Sequence, residues 1–387
     1  MAVPVLDLTR QYATIREDVE KALREVFEPQ HFILGKQGTS LEKECAAHLG
    51  AAHGIGCASG TDAILLGLRA LGLKRGEGVL TTSFTFFATA GAIHNAGGRP
   101  FFADIDPGTY NLDPADVERF LEKECAPGED GLPVHRVTGC VIRVLLPVHL
   151  YGLCADMDAL NALAAKHHLK VLEDACQAYG STYKGKRAGV LGTMAAFSFF
   201  PTKNLGGAGD GGMMTTDDGA LADHLRMLRV HGSRERYIHE EIGYNSRLDE
   251  VQAAVLRVKL PRVDGWNEQR AQVAERYREG LAEIPQVVTP SAPAGYAHIY
   301  HQYVIRAERR DELKAFLQER GVGSMIYYPI PLHLQSCFRF LGYRDGDLPH
   351  TERAAREVLA LPVFAELRRE EVAEVCAGIG AFYAGRG

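Results

Sequence analysis

The chain is expected to fold as an α/β protein of two bodies, the larger built on a central, mostly parallel sheet. Three observations lead there. Its 387 residues exceed what one hydrophobic core usually supports. Short continuous apolar runs alternate with amphipathic helical patterns, as they do where parallel strands are buried on both faces. Several of those runs end in a carboxylate or a glycine turn, which is where open α/β sheets collect ligands.

Taken in order, residues 15–27 place Ile15, Val19, Ala22, Leu23 and Val26 on one helical face. A second helix is expected with Ser40 as its N-cap, Leu41, Cys45, Ala46 and Leu49 inward, and Gly50 as its stop. Residues 54–61 read as a short strand and glycine turn, delivering Ser59, Gly60 and Thr61 to the start of an apolar helix over 62–71. Ordinary capping by a hydroxyl and binding of a phosphate at the free amides both fit that turn. Residues 79–83, 85–95 and 99–104 give strand, helix and strand, a right-handed βαβ unit in which Phe86 and Phe87 have core as their default place.

Asp113 and Pro114 cap a helix to residue 123, and the polar stretch 124–137 reads as a surface loop. A strand over 141–150 and a helix over 157–168 lead back to the run 168–174, a buried strand that delivers Asp174 at its end. The run 194–200 is its neighbour, and Pro201 breaks it into a loop carrying Lys203, so acid and amine belong to adjacent strand ends. A strand over 213–216 and a helix over 220–230 follow. Gly207, Gly209 and Gly212 match the dinucleotide spacing but precede a strand instead of opening a helix, which argues against a nicotinamide oxidoreductase. They are expected to let backbone approach a ligand and the lysine swing. A long helical pattern from Glu250 to Ile284 is interrupted at Pro261. The large body is set at 1–264 and a smaller α/β body at 265–387, with strands over 302–305 and 322–328 and helices over 311–320 and 369–383.

A net charge of −6 without any Lys/Arg run argues against nucleic acid as a partner. No apolar run approaches the roughly 20 residues of a membrane span, and the N-terminus lacks a signal-peptide pattern, so a soluble cytoplasmic protein with no membrane partner is expected. The eight cysteines are scattered singly and read as reduced. The fifteen histidines form neither HxxxH nor HExxH, so no metal site is expected.

The strings EDxxQ at 173–177, SFFPTKxLGxxGDGG at 198–212, FILG at 32–35 and GxNSRLDExQAA at 243–254 together resemble the DegT/DnrJ/EryC1/StrS sugar aminotransferases. The resemblance implies the aspartate aminotransferase-like type I fold and pyridoxal 5′-phosphate (PLP) as cofactor. It makes Lys203 the Schiff-base lysine and proton carrier and Asp174 the partner of the ring nitrogen. Gln177 matches the ligand of the ring oxygen, Phe86 the stacking ring, and Gly60, Thr61 and Ser198 the phosphate ligands. Asn245 matches a residue reaching the phosphate of a neighbouring subunit, which implies a homodimer with shared active sites. Tyr328 lies in a segment similar to the family's HYPxPLH, with Tyr327 in place of the first His. Arg247 has two readings, contact with acidic parts of a substrate or pairing with Asp249 or Glu250. The reaction implied moves an amino group from L-glutamate, leaving 2-oxoglutarate, to a nucleotide-linked keto-sugar, with C3 of a UDP- or dTDP-sugar the nearest match. Two alternatives share the fold, a PLP-binding regulator and a PLP-dependent sugar dehydratase, the latter carrying His where this chain has Lys203.

The residue chemistry agrees with such roles. A carboxylate about 4 Å from a ring cation is worth roughly 4 kcal/mol at an effective dielectric near 20, before desolvation is subtracted. A lysine serves as a base near neutral pH only where burial or a neighbouring cation lowers its pKa.

Overall fold

A computed structural model describes residues 2–128 and 130–385. Seven strands form the central sheet: β1 (His53–Cys57), β2 (Gly78–Thr82), β3 (Arg99–Ala103), β4 (Ile142–Leu146), β5 (Lys170–Asp174), β6 (Met194–Ser198) and β7 (Gly212–Thr216). Their order is β1-β7-β6-β5-β4-β2-β3. Only β7 runs against the others, pairing antiparallel with β1 and β6 while β6, β5, β4, β2 and β3 pair in parallel. Near-continuous burial along β2, β6 and β7 follows from helices covering both faces. One face packs on Leu41, Leu160 and Leu256, the other on Ile64, Leu66 and Leu225.

The βαβ unit is present, but its helix is shorter than expected, Ala88–Asn95, because residues 83–87 are spent leaving the sheet edge. The N-terminal helix is longer, Leu8–Phe27, capped by Asp7. The second helix starts four residues before Ser40, at Lys36, with Gly35 as N-cap, and does end at Gly50. Its start is supplied from afar, since the buried Glu250 carboxylate accepts the amides of Gly35 (2.9 Å), Gln37 (2.7 Å) and Gly38 (2.8 Å). An acid at a helix N-terminus does the work that a local hydroxyl was expected to do. The stretch expected as a loop at 124–137 holds a small hairpin, Cys125–Pro127 with Pro133–His135.

At Pro261 the long helix divides into Glu250–Lys259 and Val263–Gly280, joined by the 3₁₀ turn Leu260–Arg262. Beyond it a second sheet pairs β8 (Val287–Val288), β9 (Tyr303–Ala307) and β10 (Val358–Leu361), around its own apolar cluster that includes Tyr277, Ile305 and Val375. Residues 322–328, expected as a strand, make only isolated bridges: Val322 to Val3 and Met325 to Ala360. Tyr328 leaves extended geometry altogether, at φ 60°. The helices Arg310–Glu319 and Arg369–Tyr383 are where their periodicity placed them. The chain's first residues also reach this region, for Val3 donates to Gly321 O and accepts from Gly323 N.

Candidate active site

Strands β5 and β6 lie side by side, with Ala196 opposite Asp174, so the two ligand-bearing ends open at one sheet edge. Side chains alternate faces along β5. Glu173 points to the face away from the cavity and is saturated: it accepts from the amides of Gly189, Leu191 and Gly192 at 2.7–2.8 Å and from His149 Nε2 at 2.9 Å. Ala155 N donates to His149 Nδ1, so the imidazole is neutral with its proton on Nε2. This buried pair locks the strand end, and Asp174 is left facing the cavity. One of its oxygens accepts from Thr89 Oγ1 at 2.8 Å and the other from Cys176 N at 3.2 Å. Thr85 in turn bonds Thr89 at 3.1 Å.

After β1 the chain turns into the helix Gly60–Ala70, whose N-cap Ser59 accepts from Asp62 N at 3.1 Å. The first amides, Gly60 and Thr61, have no carbonyl within the helix to bond, and they open on the cavity. Glycine at 60 is required by space. A Cβ there would stand 2.6 Å from Ser198 Cβ, so the helix start and the end of β6 could not close together around any other residue.

Lys203 sits in the turn after β6, its amide donating to Phe200 O at 2.9 Å. The glycines that follow are close-packed: Gly212 passes the turn at Ser59 so tightly that a Cβ would lie 2.3 Å from Ser59 O. A Cβ on Gly207 would lie 2.8 Å and one on Gly209 2.9 Å from the Gln252 amide, and one on Gly206 2.3 Å from Pro201 O. They admit the helix Glu250–Lys259, which grips the loop through Gln252 Oε1 to Ala208 N (2.7 Å) and Lys259 Nζ to Gly206 O (2.7 Å). Two hydrogen bonds thus tie the loop to that helix. The Lys203 side chain itself opens only onto the cavity, and burial lowers its pKa below the ordinary lysine value, against the opposing pull of Cys176 and Asp174.

These groups line one cavity of about 490 Å³. Gly60, Thr61, Phe86, Asp174, Gln177, Ser198, Lys203 and Tyr328 all contribute to it. Phe86 is 59% exposed and faces the space, whereas Phe87 stacks on Phe338 with ring centroids 5.5 Å apart. Gln177 is held at both ends, accepting from Tyr151 N at 2.9 Å and donating to Tyr328 OH at 2.8 Å. Asn245 and Arg247 are not part of this wall. Asn245 is exposed and bridged to Val230, and among the described residues Arg247 makes no ion pair with Asp249 or Glu250, the latter being committed to the helix start. Sequence reasoning missed Thr89, for which the spacing of four from Thr85 was the available signal, and His301 and Gln302, which complete the wall from beyond residue 264.

The residues present fit a phosphorylated pyridine aldehyde: open amides at a helix start for the phosphate, a carboxylate on the floor, an exposed aromatic face and a lysine of lowered pKa. Among the described residues no cluster able to hold a metal ion is found, and no helix is long and apolar enough to cross a membrane.

A family model described as the DegT/DnrJ/EryC1/StrS aminotransferase family matches residues 13–380. A protein of Geobacillus stearothermophilus named pleiotropic regulatory protein is 50% identical over 99% of both chains. A UDP-N-acetyl-3-dehydro-alpha-D-glucosamine 3-aminotransferase of Acidithiobacillus ferrooxidans is 42% identical, covering 97% of this chain and 96% of its own. The crystal structure of S. venezuelae DesV in complex with a ketimine intermediate superposes with a TM-score of 0.92 at 40% identity, covering 98% of both chains.

Proposed function

The chain belongs to the DegT/DnrJ/EryC1/StrS aminotransferase family, a PLP-dependent enzyme with the type I fold, and from that premise we propose that it aminates a nucleotide-linked 3-keto-sugar. The observation that carries this reading is the meeting of Asp174 and a pKa-lowered Lys203 in one cavity whose corner exposes the Gly60 and Thr61 amides. The bound cofactor supplies an electron-poor ring that stabilises negative charge developing on the carbon next to nitrogen.

The chain's own residues do the rest. Asp174, with one oxygen accepting from Thr89 and the other from Cys176 N, would place its charge beside the ring nitrogen and favour the protonated ring. Gly60, Thr61 and Ser198 would hold the phosphate, Phe86 would cover one face of the ring, and Gln177, already braced by Tyr151 and Tyr328, would meet the ring oxygen. The Lys203 amine would carry a proton between two substrate carbons. L-glutamate is the amino donor in this reading, and a UDP- or dTDP-sugar ketone the acceptor.

Two further parts belong to the proposal. The division at 264/265 makes the cavity an interdomain cleft, with His301, Gln302, Tyr327 and Tyr328 on the smaller side. The enzyme works as a homodimer: Tyr237 and Ile242, at 80% and 88% exposure around the hairpin Ser233–Glu235/Ile238–His239, are apolar surface that a second copy would cover, and Asn245 lies outside its own cavity. The 42% identical relative named as a sugar 3-aminotransferase and the likeness to DesV favour the enzyme over the name its 50% identical relative bears.

The deciding experiment is borohydride reduction followed by peptide mass spectrometry. The cofactor should be fixed on Lys203, and Lys203→Ala should lose all transamination while retaining noncovalent PLP. Label on another lysine, or turnover by the variant, refutes the assignment. Nucleotide amino-sugars offered with 2-oxoglutarate in the reverse direction then identify base, sugar and carbon.

A further inference from the structure

Residues 83–87 lead from β2 to the helix Ala88–Asn95 and carry Phe86 to the cavity. Their start is fixed to the opposite wall, for Ser83 O accepts from Leu332 N and Ser83 Oγ from His333 N, both at 3.0 Å. Beyond it stand two buried hydroxyls that line the cavity, Thr85 at 2% and Thr89 at 1% exposure. A threonine in a helix commonly donates to the carbonyl three or four residues before it. Thr89 instead meets side chains: its Oγ1 lies 2.8 Å from Asp174 Oδ2 and 3.1 Å from Thr85 Oγ1.

Counting hydrogens gives this chain a direction. Thr89 has one hydroxyl hydrogen and an ionised carboxylate has none, so Thr89 donates to Asp174 and accepts from Thr85. Thr85 thereby fills a lone pair of Thr89 and leaves its hydrogen aimed at the acid. The other oxygen of Asp174 accepts from Cys176 N at 3.2 Å. Each of these donors stabilises the charged carboxylate over the neutral acid.

We propose that Thr89, directed by Thr85, is a positioning residue that acts through Asp174: its hydroxyl keeps the acid charged, so that the proton shared with the cofactor stays on the ring nitrogen. The inference rests on that nitrogen lying at Asp174. One proton can be held in two ways, as pyridinium beside carboxylate or as pyridine beside carboxylic acid, and only the first leaves the ring electron-poor. A hydrogen bond to a charged group is worth roughly ten- to a hundredfold in such an equilibrium. Strand β5, paired with β6 up to Asp174 itself, sets where the acid stands; the hydroxyls set where the proton resides. The ionisable groups that share the cavity with Asp174, among them Cys176, Lys203 and Tyr328, are unaltered in the threonine variants below.

The test loads the enzyme with PLP carrying nitrogen-15 in its ring and reads the ring resonance, which separates pyridinium from pyridine, beside kcat and KM. Wild type and Thr89→Ser, which keeps the hydroxyl, should both show pyridinium. Thr89→Val keeps the shape without the hydrogen; the balance should move about tenfold or more towards pyridine, with kcat falling in step and KM within about twofold of wild type. Thr85→Val should move it the same way by a smaller factor, about two to three, because Thr89 keeps its hydrogen but loses its direction. An unchanged resonance in Thr89→Val overturns the proposal, as does an equal shift in Thr89→Ser. A shift in Thr85→Val that is absent, or as large as in Thr89→Val, refutes the directed chain. Should the valine variants not fold, neutron diffraction from deuterated wild-type holoenzyme crystals decides: deuterium on Thr89 aimed at Asp174 and on Thr85 aimed at Thr89 is expected, and deuterium on Asp174 aimed at Thr89 is fatal. A wild-type resonance in Asp174→Asn would instead fault the placement of that acid at the ring, which keeps the two failures apart.

Discussion

The cavity's floor and its far wall are built by different means. On the floor Asp174 stands at the end of a strand and is oriented by Cys176 N and Thr89, while Glu173, on the opposite face, fixes that strand end through three amides and His149. The wall, from beyond residue 264, offers only the start of β9, where His301 and Gln302 precede Tyr303. It relies on tyrosines forced into the left-handed region, Tyr300 at φ 46° and Tyr328 at φ 60°, and on one buried cation gripping carbonyls. Floor geometry is therefore robust to loss of a single contact, because the sheet ladder still sets direction. Wall geometry depends on individual side chains far from the chemistry.

The largest effect expected lies on the floor and is chemical. Asp174→Asn keeps shape and the Thr89 bond but removes the charge, and the pair it would make with a ring cation is worth roughly 4 kcal/mol at 4 Å. Turnover in single-turnover assays should fall on the order of a thousandfold, with thermal stability nearly unchanged. A variant that loses stability as much as rate would show that the floor, too, depends on individual contacts.

Arg270→Met comes next and addresses the wall. Burial lowers the guanidinium pKa to about 10, so it remains charged at neutral pH. The variant leaves three carbonyls, those of Tyr300, His301 and Val363, without a donor, a loss of about 3 kcal/mol in urea unfolding. Substrate KM should rise together with this loss, since His301 and Gln302 lose their support, while Schiff-base formation on the floor persists. Equal damage to cofactor binding would erase the distinction between the two regions.

That distinction also explains what could be read beforehand. Floor residues sit in contiguous strings, so Asp174, Gln177, Ser198 and Lys203 announce themselves by local pattern, and adjacent strand ends follow from alternating apolar runs. The shape of the segment at 322–328 could not be read, because its apolar residues suggested a strand while the tertiary position of Tyr328 imposed a left-handed turn. The start of the second helix was misplaced for a related reason: Glu250, 215 residues away from Gly35, supplies the cap, and no local signal reveals a partner so distant. His301 gave no motif at all. Its place in the wall is set by Arg270 and Tyr300, which no local pattern links to it.

The smallest effect concerns a half-buried cation on the floor side. Lys259 Nζ holds Gly206 O at 2.7 Å, and burial lowers its pKa to about 8, whereas an unfolded lysine titrates near 10.4. Between those values the unfolded chain binds the extra proton, so unfolding free energy must rise with pH. From about pH 8 to 10 this amine alone contributes a gain on the order of 2 kcal/mol, opposed in the same window by buried thiols such as Cys45 and Cys154, which burial raises to about 12, and above it by buried phenols such as Tyr151 and Tyr277. The contribution of Lys259 is the difference between two proteins: between pH 7.5 and 9.5 the urea midpoint of the wild type should rise relative to that of Lys259→Met, in which the thiols and Lys203 are unchanged. Arg270 cannot produce such a slope below pH 9, since it keeps its proton there. Parallel profiles in the wild type and Lys259→Met would mean that the Gly206 carbonyl is held by an amine in contact with water, and the clamp on the Lys203 loop would then rest on Gln252 alone.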